Sequence, residues 1–223
     1  MKTFELIFTN GHILFDNGDG LVLVDSGSPA SFHETGLMKV GDDSFDVPTS
    51  LMGVTSRYIS QNVGSEVRGL LGMDYIGRHA TLIDIFGGRI VFDAETDGYA
   101  EVASFFAGCP GLVLNVGGRE ARVFLDTGAP ISYLSRSFTD GEKSWGKKED
   151  FSPFSSAGRF ETDIYYLDTV FAGEQFRMQV GNLPSDMGMM LKVFGVDGVV
   201  GLEILKRTSV IFADGKVLVP IKG

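Results

Sequence analysis

The sequence contains little of what nucleic-acid-binding, disulfide-bonded and membrane proteins depend on. Lys and Arg number 19 against 29 Asp and Glu in 223 residues, a formal net charge of −10, whereas phosphate binding needs clustered basic side chains. Cys109 is the only cysteine, so no disulfide can form within the chain. Neither a secretory leader nor a run of about 20 apolar residues is visible. We therefore expect no nucleic-acid partner, no membrane span and a cytoplasmic location.

Side chains suited to metal or covalent chemistry are also scarce. The three histidines, His12, His33 and His79, are scattered and lack metal-ligand spacing with any cysteine. Nothing near Cys109 in the sequence suggests a base that would activate it as a nucleophile. The sequence therefore predicts no metal site and no cofactor.

Sustained 3.6-residue hydrophobic periodicity is absent, which argues against a helical core. Short runs rich in Val, Ile and Phe, such as Leu21–Val24, instead alternate with turns that use many of the 30 glycines. The pair Asn10-Gly11 supplies the positive φ that a tight hairpin turn requires. The best helix candidates are short, at residues 73–76 and 202–207. The pattern predicts an all-β protein with a few short helices, and the hydrophobic fraction of 43% supports a core.

What the sequence does contain is an internal repeat. Residues 22–29 read VLVDSGSP and residues 123–130 read VFLDTGAP, so each half has an apolar strand that ends in an acidic turn. Each acidic turn is followed, in the same order, by an apolar-apolar-glycine segment and by a strand-turn-strand segment. In the first half these parts are residues 69–74 and 81–92, and in the second half they are residues 198–203 and 208–219.

The repeat predicts two β lobes related by a pseudo-twofold axis, residues 1–100 and 101–223, with a boundary near residues 97–103. Strands at residues 1–8, 99–105 and 217–221 are expected to pair and join the lobes. Equivalent turns would then bring Asp25 and Asp126 to one site. Two carboxylates about 3 Å apart cannot both ionise, so they share a proton. One can act as general base on water while the other donates a proton to a substrate carbonyl.

At these motifs the sequence resembles the aspartic proteases. Residues 111–129 are similar to the retroviral protease pattern around its catalytic aspartate, and residues 69–74 resemble the second motif of the family. Two such halves in one chain are similar to pepsin, although this chain is shorter. The resemblance implies a bilobal, pepsin-like acid protease fold and a monomeric aspartic endopeptidase. It further implies that the enzyme hydrolyses extended peptides with apolar residues flanking the cut.

The resemblance also implies roles for individual residues. Asp25 and Asp126 would be the catalytic pair, and Ser26 and Thr127 would lock the two acidic turns together through crossed hydroxyl hydrogen bonds. Ser28 would place a hydroxyl next to the pair, as in pepsins. The mixed pepsin-like and retroviral pattern around the pair leads us to expect a mildly acidic pH optimum.

The two halves differ in length after their acidic turns. The spacing from Asp126 to Phe176 is 30 residues longer than that from Asp25 to Phe45. Because the family covers its cleft with a β-hairpin flap, the extra residues predict a single flap in the second lobe, at about residues 141–168, and none at residues 30–66. The predicted substrate-binding residues are the turn glycines and the flap tip: Gly27, Gly128, Ser155, Ser156, Ala157 and Gly158.

Two other functions are compatible with the same residues. A catalytically inactive peptide-binding module on this fold would keep both acidic turns and the cleft but have no turnover. An oligomeric structural protein is a weaker alternative. We expect turnover that depends on both Asp25 and Asp126 to distinguish the endopeptidase from either alternative.

Overall fold

The structure, a computed structural model, describes residues 1–152 and 158–221. This part of the chain is mostly β-strand, so the all-β prediction is confirmed. The strands up to residue 92 are β1 (Lys2–Glu5), β2 (Ile7–Thr9), β3 (His12–Asp16), β4 (Leu21–Val24), β5 (Phe32–His33), β6 (Leu37–Val40), β7 (Asp43–Asp46), β8 (Ser50–Leu51), β9 (Val54–Thr55), β10 (Val67–Leu71), β11 (Thr81–Asp84) and β12 (Arg89–Phe92). The later strands are β13 (Tyr99–Phe106), β14 (Cys109–Val116), β15 (Arg119–Leu125), β16 (Ser132–Leu134), β17 (Lys147–Phe151), β18 (Arg159–Asp163), β19 (Tyr165–Phe171), β20 (Glu174–Asn182), β21 (Gly198–Val200), β22 (Val210–Ala213) and β23 (Lys216–Pro220).

A five-stranded sheet in the first half has the order β2-β3-β4-β10-β5. Its central strand β4 lies antiparallel to β3 and parallel to β10, with Leu23 opposite Leu70 and Val24 opposite Leu71. Three of the four β4 residues are buried, because a strand in the middle of a sheet that is covered on both faces favours a continuous apolar run. The end of β4 delivers Asp25.

The same pairing pattern recurs in the second half of the chain. Strand β15 lies antiparallel to β14 and parallel to β21, with Phe124 opposite Val199 and Leu125 opposite Val200. Strand β16 pairs antiparallel with β21, as β5 does with β10. Asp126 therefore leaves its sheet at the position that Asp25 occupies in the first half.

A run of six strands joins the halves in the order β1-β12-β11-β22-β23-β13. The two central strands come from different halves, and Leu82 of β11 lies opposite Ile211 of β22. Strand β13 pairs with β23 as expected. The expectation that the first strand pairs with these two is wrong, because β12, β11 and β22 lie between them and β1 pairs only with β12 in this run.

The helices are short. Helix α1 (Ser56–Val63) begins at Thr55, whose hydroxyl accepts a hydrogen bond from the Tyr58 N–H, and ends at Gly64 with a φ of 78°. Helix α2 (Met73–Ile76) confirms the prediction there. Within the described ranges no helix has the length and apolarity of a membrane span. The remaining helices are α3 (Ser185–Val193) and a 3₁₀ turn at Arg136–Phe138.

The predicted helix at residues 202–207 is wrong. These residues form consecutive turns, in which the Lys206 N–H donates to the Leu202 carbonyl and the Arg207 N–H donates to the Ile204 carbonyl. Leu202, Ile204 and Leu205 are all buried, so the segment packs side chains on several sides instead of presenting one apolar helix face. Helices α1 and α3 are not anticipated by the sequence reading.

One hydrophobic core extends through both halves. It contains Phe15 and Phe92 from the first half and Phe212 from β22 in the second, all completely buried. Because such side chains each contribute several kcal/mol, this core stabilises the arrangement of the two halves as well as each sheet.

We predict that Phe212→Ala lowers the free energy of unfolding by about 3–5 kcal/mol, because it leaves a cavity where the halves join. Urea unfolding followed by circular dichroism measures this. Phe86→Ala is the matched control, since the Phe86 side chain is 72% exposed, and it should change stability by less than about 0.5 kcal/mol. Equal effects of the two substitutions would contradict the prediction.

Candidate active site

The two acidic turns lie next to each other between the halves of the molecule. The Asp25 N–H donates to the Leu71 carbonyl over 3.0 Å, and the Asp126 N–H donates to the Val200 carbonyl over 2.9 Å. Each aspartate therefore continues the parallel strand pair that precedes it. This backbone placement follows from the apolar strands, whose burial determines where each turn begins.

Each turn also holds its own carboxylate in place. The N–H groups of Gly27 and Ser28 donate to Asp25 Oδ1 over 2.9 and 3.1 Å. The Gly128 N–H donates to Asp126 Oδ1 over 2.8 Å. Aspartate commonly forms such turns because its side chain accepts bonds from the backbone two or three residues on. In each carboxylate, Oδ2 is left outside these turn bonds.

Crossed hydrogen bonds connect the two turns. Ser26 Oγ donates to the Leu125 carbonyl over 2.8 Å and accepts from the Thr127 N–H over 3.0 Å. Thr127 Oγ1 donates to the Val24 carbonyl over 2.8 Å and accepts from the Ser26 N–H over 2.9 Å. Both hydroxyl residues are fully buried. The structure thus brings Ser26 and Thr127 together in the arrangement that the resemblance implies.

The glycines after the hydroxyl residues leave space for the carboxylates. A Cβ on Gly27 would lie 2.5 Å from Asp126 Cγ, and a Cβ on Gly128 would lie 2.8 Å from Asp25 Cγ. Neither glycine has a positive φ, so it is the space and not the backbone conformation that requires glycine here. Both glycines are predicted from the sequence to bind substrate. They line the cavity between the halves, but their first steric role is to let the two carboxylates approach.

The pKa values of both carboxyl groups are raised, so each holds its proton more strongly than an isolated aspartate does. Burial raises the pKa of Asp25, and the charge of Asp126 raises the pKa of Asp25 further. Burial also raises the pKa of Asp126, although bonds from Asp25 and from the turn N–H groups oppose this. The titration belongs to the pair because the groups are coupled. The pair therefore keeps a shared proton at pH values where isolated aspartates have lost theirs.

Glycine turns pack directly behind both acidic turns. A Cβ on Gly72 would lie 2.6 Å from the Ala30 carbonyl oxygen, and a Cβ on Gly201 would lie 2.3 Å from the Ala129 carbonyl oxygen. Larger residues at either position would push the acidic turns forward. The apolar-apolar-glycine segments of the sequence therefore support the carboxylates from behind.

Two serines connect the acidic turns to the glycine turns behind them, and the sequence does not mark either serine as a site residue. Ser31 Oγ accepts from the Gly72 N–H over 2.9 Å and donates to Asp74 Oδ1 over 2.5 Å. Ser132 Oγ accepts from the Gly201 N–H over 3.2 Å. Both serines lie six residues after an aspartate of the pair. Alignment of the two halves position by position is the signal that could have found them.

Ser28 and Cys109 both lie close to the pair of aspartates. The Ser28 hydroxyl donates to the Ala30 carbonyl over 2.8 Å, so Ser28 supports Asp25 through its backbone N–H and not through its hydroxyl. Cys109 Sγ lies 3.6 Å from the Gly27 carbonyl oxygen. Burial, together with the charges of Asp126 and Asp25, raises the pKa of the Cys109 thiol to about 11. A neutral thiol is a poor nucleophile.

A cavity of about 120 Å³ lies over the carboxylates. Its wall combines the acidic turns with apolar side chains from both halves and from β17 and β18. The residues that line it are Leu23, Asp25, Gly27, Val54, Ile59, Leu70, Asp126, Gly128, Ala129, Pro130, Tyr133, Asp150, Phe151, Ser152, Phe160, Leu183, Met187 and Val199. Among residues 1–152 and 158–221, no group of three or more His, Cys, Asp or Glu side chains is arranged to hold a metal ion.

The hairpin β17–β18 covers one side of this cavity. Near the end of the hairpin that leads into its turn, the Tyr133 hydroxyl donates to Asp150 Oδ2, and the Tyr133 ring lies 5.7 Å from the ring of Phe160. Across the cleft, the Phe151 ring lies 5.8 Å from the imidazole of His12 and 6.1 Å from the ring of Tyr58. The hairpin thus belongs to the second half but contacts the first.

The predicted flap tip lies mostly outside the described residues. Ser155, Ser156 and Ala157 are not described, so their expected contact with substrate stays a prediction. Gly158 has a φ of 67°, and a Cβ there would come within 4.0 Å of the Tyr58 hydroxyl. It is not among the residues that line the cavity.

The first half contributes hairpins at residues 30–66 as well. The β6–β7 hairpin packs on the core through Met38 and Val40. The β8–β9 hairpin has two residues in each strand and brings Val54 to the cavity wall. Both halves therefore place a hairpin beside the cavity: the short β8–β9 hairpin from the first half and the longer β17–β18 hairpin from the second. The single flap in the second half stays a prediction.

We predict that Thr127→Val lowers the free energy of unfolding by about 2–4 kcal/mol. The valine has nearly the same shape but leaves the Ser26 N–H and the Val24 carbonyl buried without partners. Thr127→Ser keeps the hydroxyl and should cost about 1 kcal/mol or less. Urea unfolding of both variants measures the difference, and a serine variant as unstable as the valine variant would contradict it.

The shared proton also predicts how stability depends on pH. Because the folded pair has raised pKa values, its contribution is complete at low pH and is lost as pH rises through those values. We expect the unfolding free energy of the wild type to fall more between pH 4 and 7 than that of Asp25→Asn. Burial lowers the pKa of His12, which gives the opposite trend, but this cancels in the difference between the two proteins. Parallel pH profiles would contradict the prediction.

Solved structures of aspartic proteases of two sizes align with this chain over part or nearly all of its length. The aspartic proteinase from Irpex lacteus aligns over 99% of this chain and 97% of its own length, at 12% identity and a TM-score of 0.49. The retropepsin-like aspartic protease from Rickettsia conorii aligns over 55% of this chain and 89% of its own, at 16% identity and a TM-score of 0.42. The simian foamy virus protease covers 41% of this chain and 87% of its own, at 18% identity and a TM-score of 0.31.

No family model and no curated protein matches the sequence. Since these TM-scores are below 0.5, the interpretation of the site depends on its own geometry. The chain is similar to these proteases in its all-β architecture.

Proposed function

We propose that this protein is an aspartic endopeptidase in which Asp25 and Asp126 activate a water molecule. The observation that carries the proposal is a pair of carboxyl groups, one from each half, that line the same cavity on two turns joined by crossed hydroxyl hydrogen bonds. Burial of two like charges together is costly unless they share a proton. Such a pair offers an acid and a base at one point, which is what amide hydrolysis by water requires.

The reaction needs no covalent intermediate. The ionised carboxylate takes a proton from water as the water oxygen attacks the peptide carbonyl carbon. The protonated carboxyl gives its proton to the carbonyl oxygen, so that a neutral tetrahedral diol forms. When the carbon–nitrogen bond breaks, a proton passes from the diol to the leaving nitrogen through the pair. The products are a carboxylic acid and an amine.

The hairpin β17–β18 would act as the flap of this enzyme. Ligand cavities commonly measure about 300–1,000 Å³, and the cavity over the carboxylates is about 120 Å³. An extended peptide therefore requires the hairpin to move away from Tyr58 and His12. Its return would exclude water and hold the peptide, which is the usual role of such lids. The apolar cavity wall supports apolar residues next to the cut bond.

We further propose that the chain works as a cytoplasmic monomer, with residues 1–100 and 101–223 as its two lobes. Each lobe would supply one aspartate, so that no second chain is needed to complete the site.

We predict that Asp25→Asn and Asp126→Asn each lower cleavage of an unfolded protein by about 10²–10⁴-fold, because each removes the acid or the base. Activity is measured between pH 3 and 7, with and without a pepstatin-type inhibitor. The matched control is Asp168→Asn, whose carboxylate lies near Arg177 with a side chain that is 71% exposed, and which should retain wild-type activity.

Cleavage that survives in both aspartate variants would refute the mechanism. A wild type that binds peptides but does not cleave them at any pH in this range would instead support an inactive peptide-binding module. Concentration-dependent assembly on gel filtration without peptide binding would favour a structural protein.

A further inference from the structure

A third carboxylate lies in the cleft besides the pair. Asp150, on β17, is the one other charged residue among the described residues that line the cavity over Asp25 and Asp126. The rest of that lining is apolar or uncharged, and it contains no lysine or arginine. The wall of the cleft therefore carries a third carboxyl group and, among the described lining residues, no lysine or arginine.

Two hydrogen bonds fix the Asp150 carboxylate. The Tyr133 hydroxyl donates to Oδ2, and the Phe151 N–H donates to Oδ1 over 2.8 Å. No described residue forms an ion pair with Asp150 within 4.0 Å. The cation that lies along the same face of β17 is Lys148, two residues away, and its interaction with Asp150 is through charge at a longer distance.

The charge of Asp150 acts on the acidic turns from across the cavity. Burial is the main cause that raises the pKa of Asp126, and the charge of Asp150 adds to it. Burial lowers the pKa of His12, whose ring lies 5.8 Å from the ring of Phe151, and the charge of Asp150 opposes that shift. Asp150 thus faces the pair and not the solvent on the outer side of the hairpin. Glu149, its neighbour on β17, is exposed on the opposite face.

A carboxylate in this position has a simple structural interpretation, namely that it anchors the hairpin to Tyr133. That role requires only a hydrogen-bond acceptor, which an asparagine would supply as well. A negative charge at the wall of an apolar cleft costs desolvation free energy. The cost is offset when a ligand brings a cation to it, since charge-assisted bonds to a carboxylate are about twice as strong as neutral ones.

We propose that Asp150 selects peptides that carry a lysine or arginine side chain beside the cleaved bond, by pairing with that side chain inside the closed cleft. The inference rests on the proposed peptidase function and specifies its substrate. It predicts basic residues at one position of the substrate, whereas the apolar wall contacts the neighbouring positions.

Binding of non-cleavable peptides tests this without turnover. The probes are peptide pairs with a hydroxyethylene group in place of the cleaved amide, identical except for lysine or norleucine at one of the four positions around that group. We expect wild type at pH 6 to bind the lysine form about 10- to 100-fold more tightly at one position. Fluorescence anisotropy with labelled peptides gives both dissociation constants.

Three variants assign the effect to the charge. Asp150→Asn keeps an acceptor for Tyr133 and should reduce the ratio of the two dissociation constants to about one. Glu149→Gln removes the same charge from the opposite face and should retain the wild-type ratio. Tyr133→Phe removes the hydroxyl but leaves the carboxylate, so it should retain the lysine preference as well.

Equal binding of lysine and norleucine forms by wild type at every position would overturn the inference, and this comparison is independent of how well any variant folds. An unchanged ratio in Asp150→Asn would overturn it too. Lysine-selective binding without cleavage would refute the peptidase function while the inference stands. Cleavage without charge preference would refute the inference alone.

Discussion

The two hydroxyls of Ser26 and Thr127 are the interaction on which the site depends. Each one accepts from a backbone N–H of the opposite turn and donates to a strand carbonyl of the other half, so four hydrogen bonds join the ends of β4 and β15. Because both hydroxyls are fully buried, no water is available to replace a lost partner, and each bond is costly to break. The distance between Asp25 and Asp126 is therefore set by the backbones that the hydroxyls connect and not by the carboxylates, which would repel if both were charged.

Glycine makes the same arrangement sterically possible. Gly27 and Gly128 leave room in front for the opposite carboxylate, while Gly72 and Gly201 leave room behind for the carbonyl groups of the acidic turns. Four glycines thus permit two layers of backbone and two carboxyl groups to pack without a side chain between them. The closeness of this packing produces the burial that raises both pKa values, so the unusual protonation of the pair follows from its steric surroundings.

Residues with a strong local signal could be predicted, and those that depend on distant partners could not. The apolar run Leu21–Val24 and the hairpins follow from composition and turn residues, whereas the pairing of β13 with β23 is expected from the resemblance to a bilobal fold. The sequence does not predict helix α1, because this helix has only two turns and Ile59 and Val63 are its buried apolar positions. It does not predict α3, because the methionines and Gly188 of that helix give little periodicity. The repeat identified Asp25 and Asp126 as partners. No local pattern marks Asp150, His12 or Tyr133, since tertiary contacts bring them to the cleft.

The six strands that join the halves have a consequence for how the site responds to dilution. Leu82 and Ile211 lie opposite each other at the centre of that sheet, and one continuous chain connects them to both acidic turns. Formation of the pair is therefore an intramolecular event, whose effective concentration is set by the length of the chain between the halves. A site assembled in this way keeps its two carboxylates together at any protein concentration. Each half is also free to acquire surface features of its own, and the hairpin that carries Asp150 is one of them.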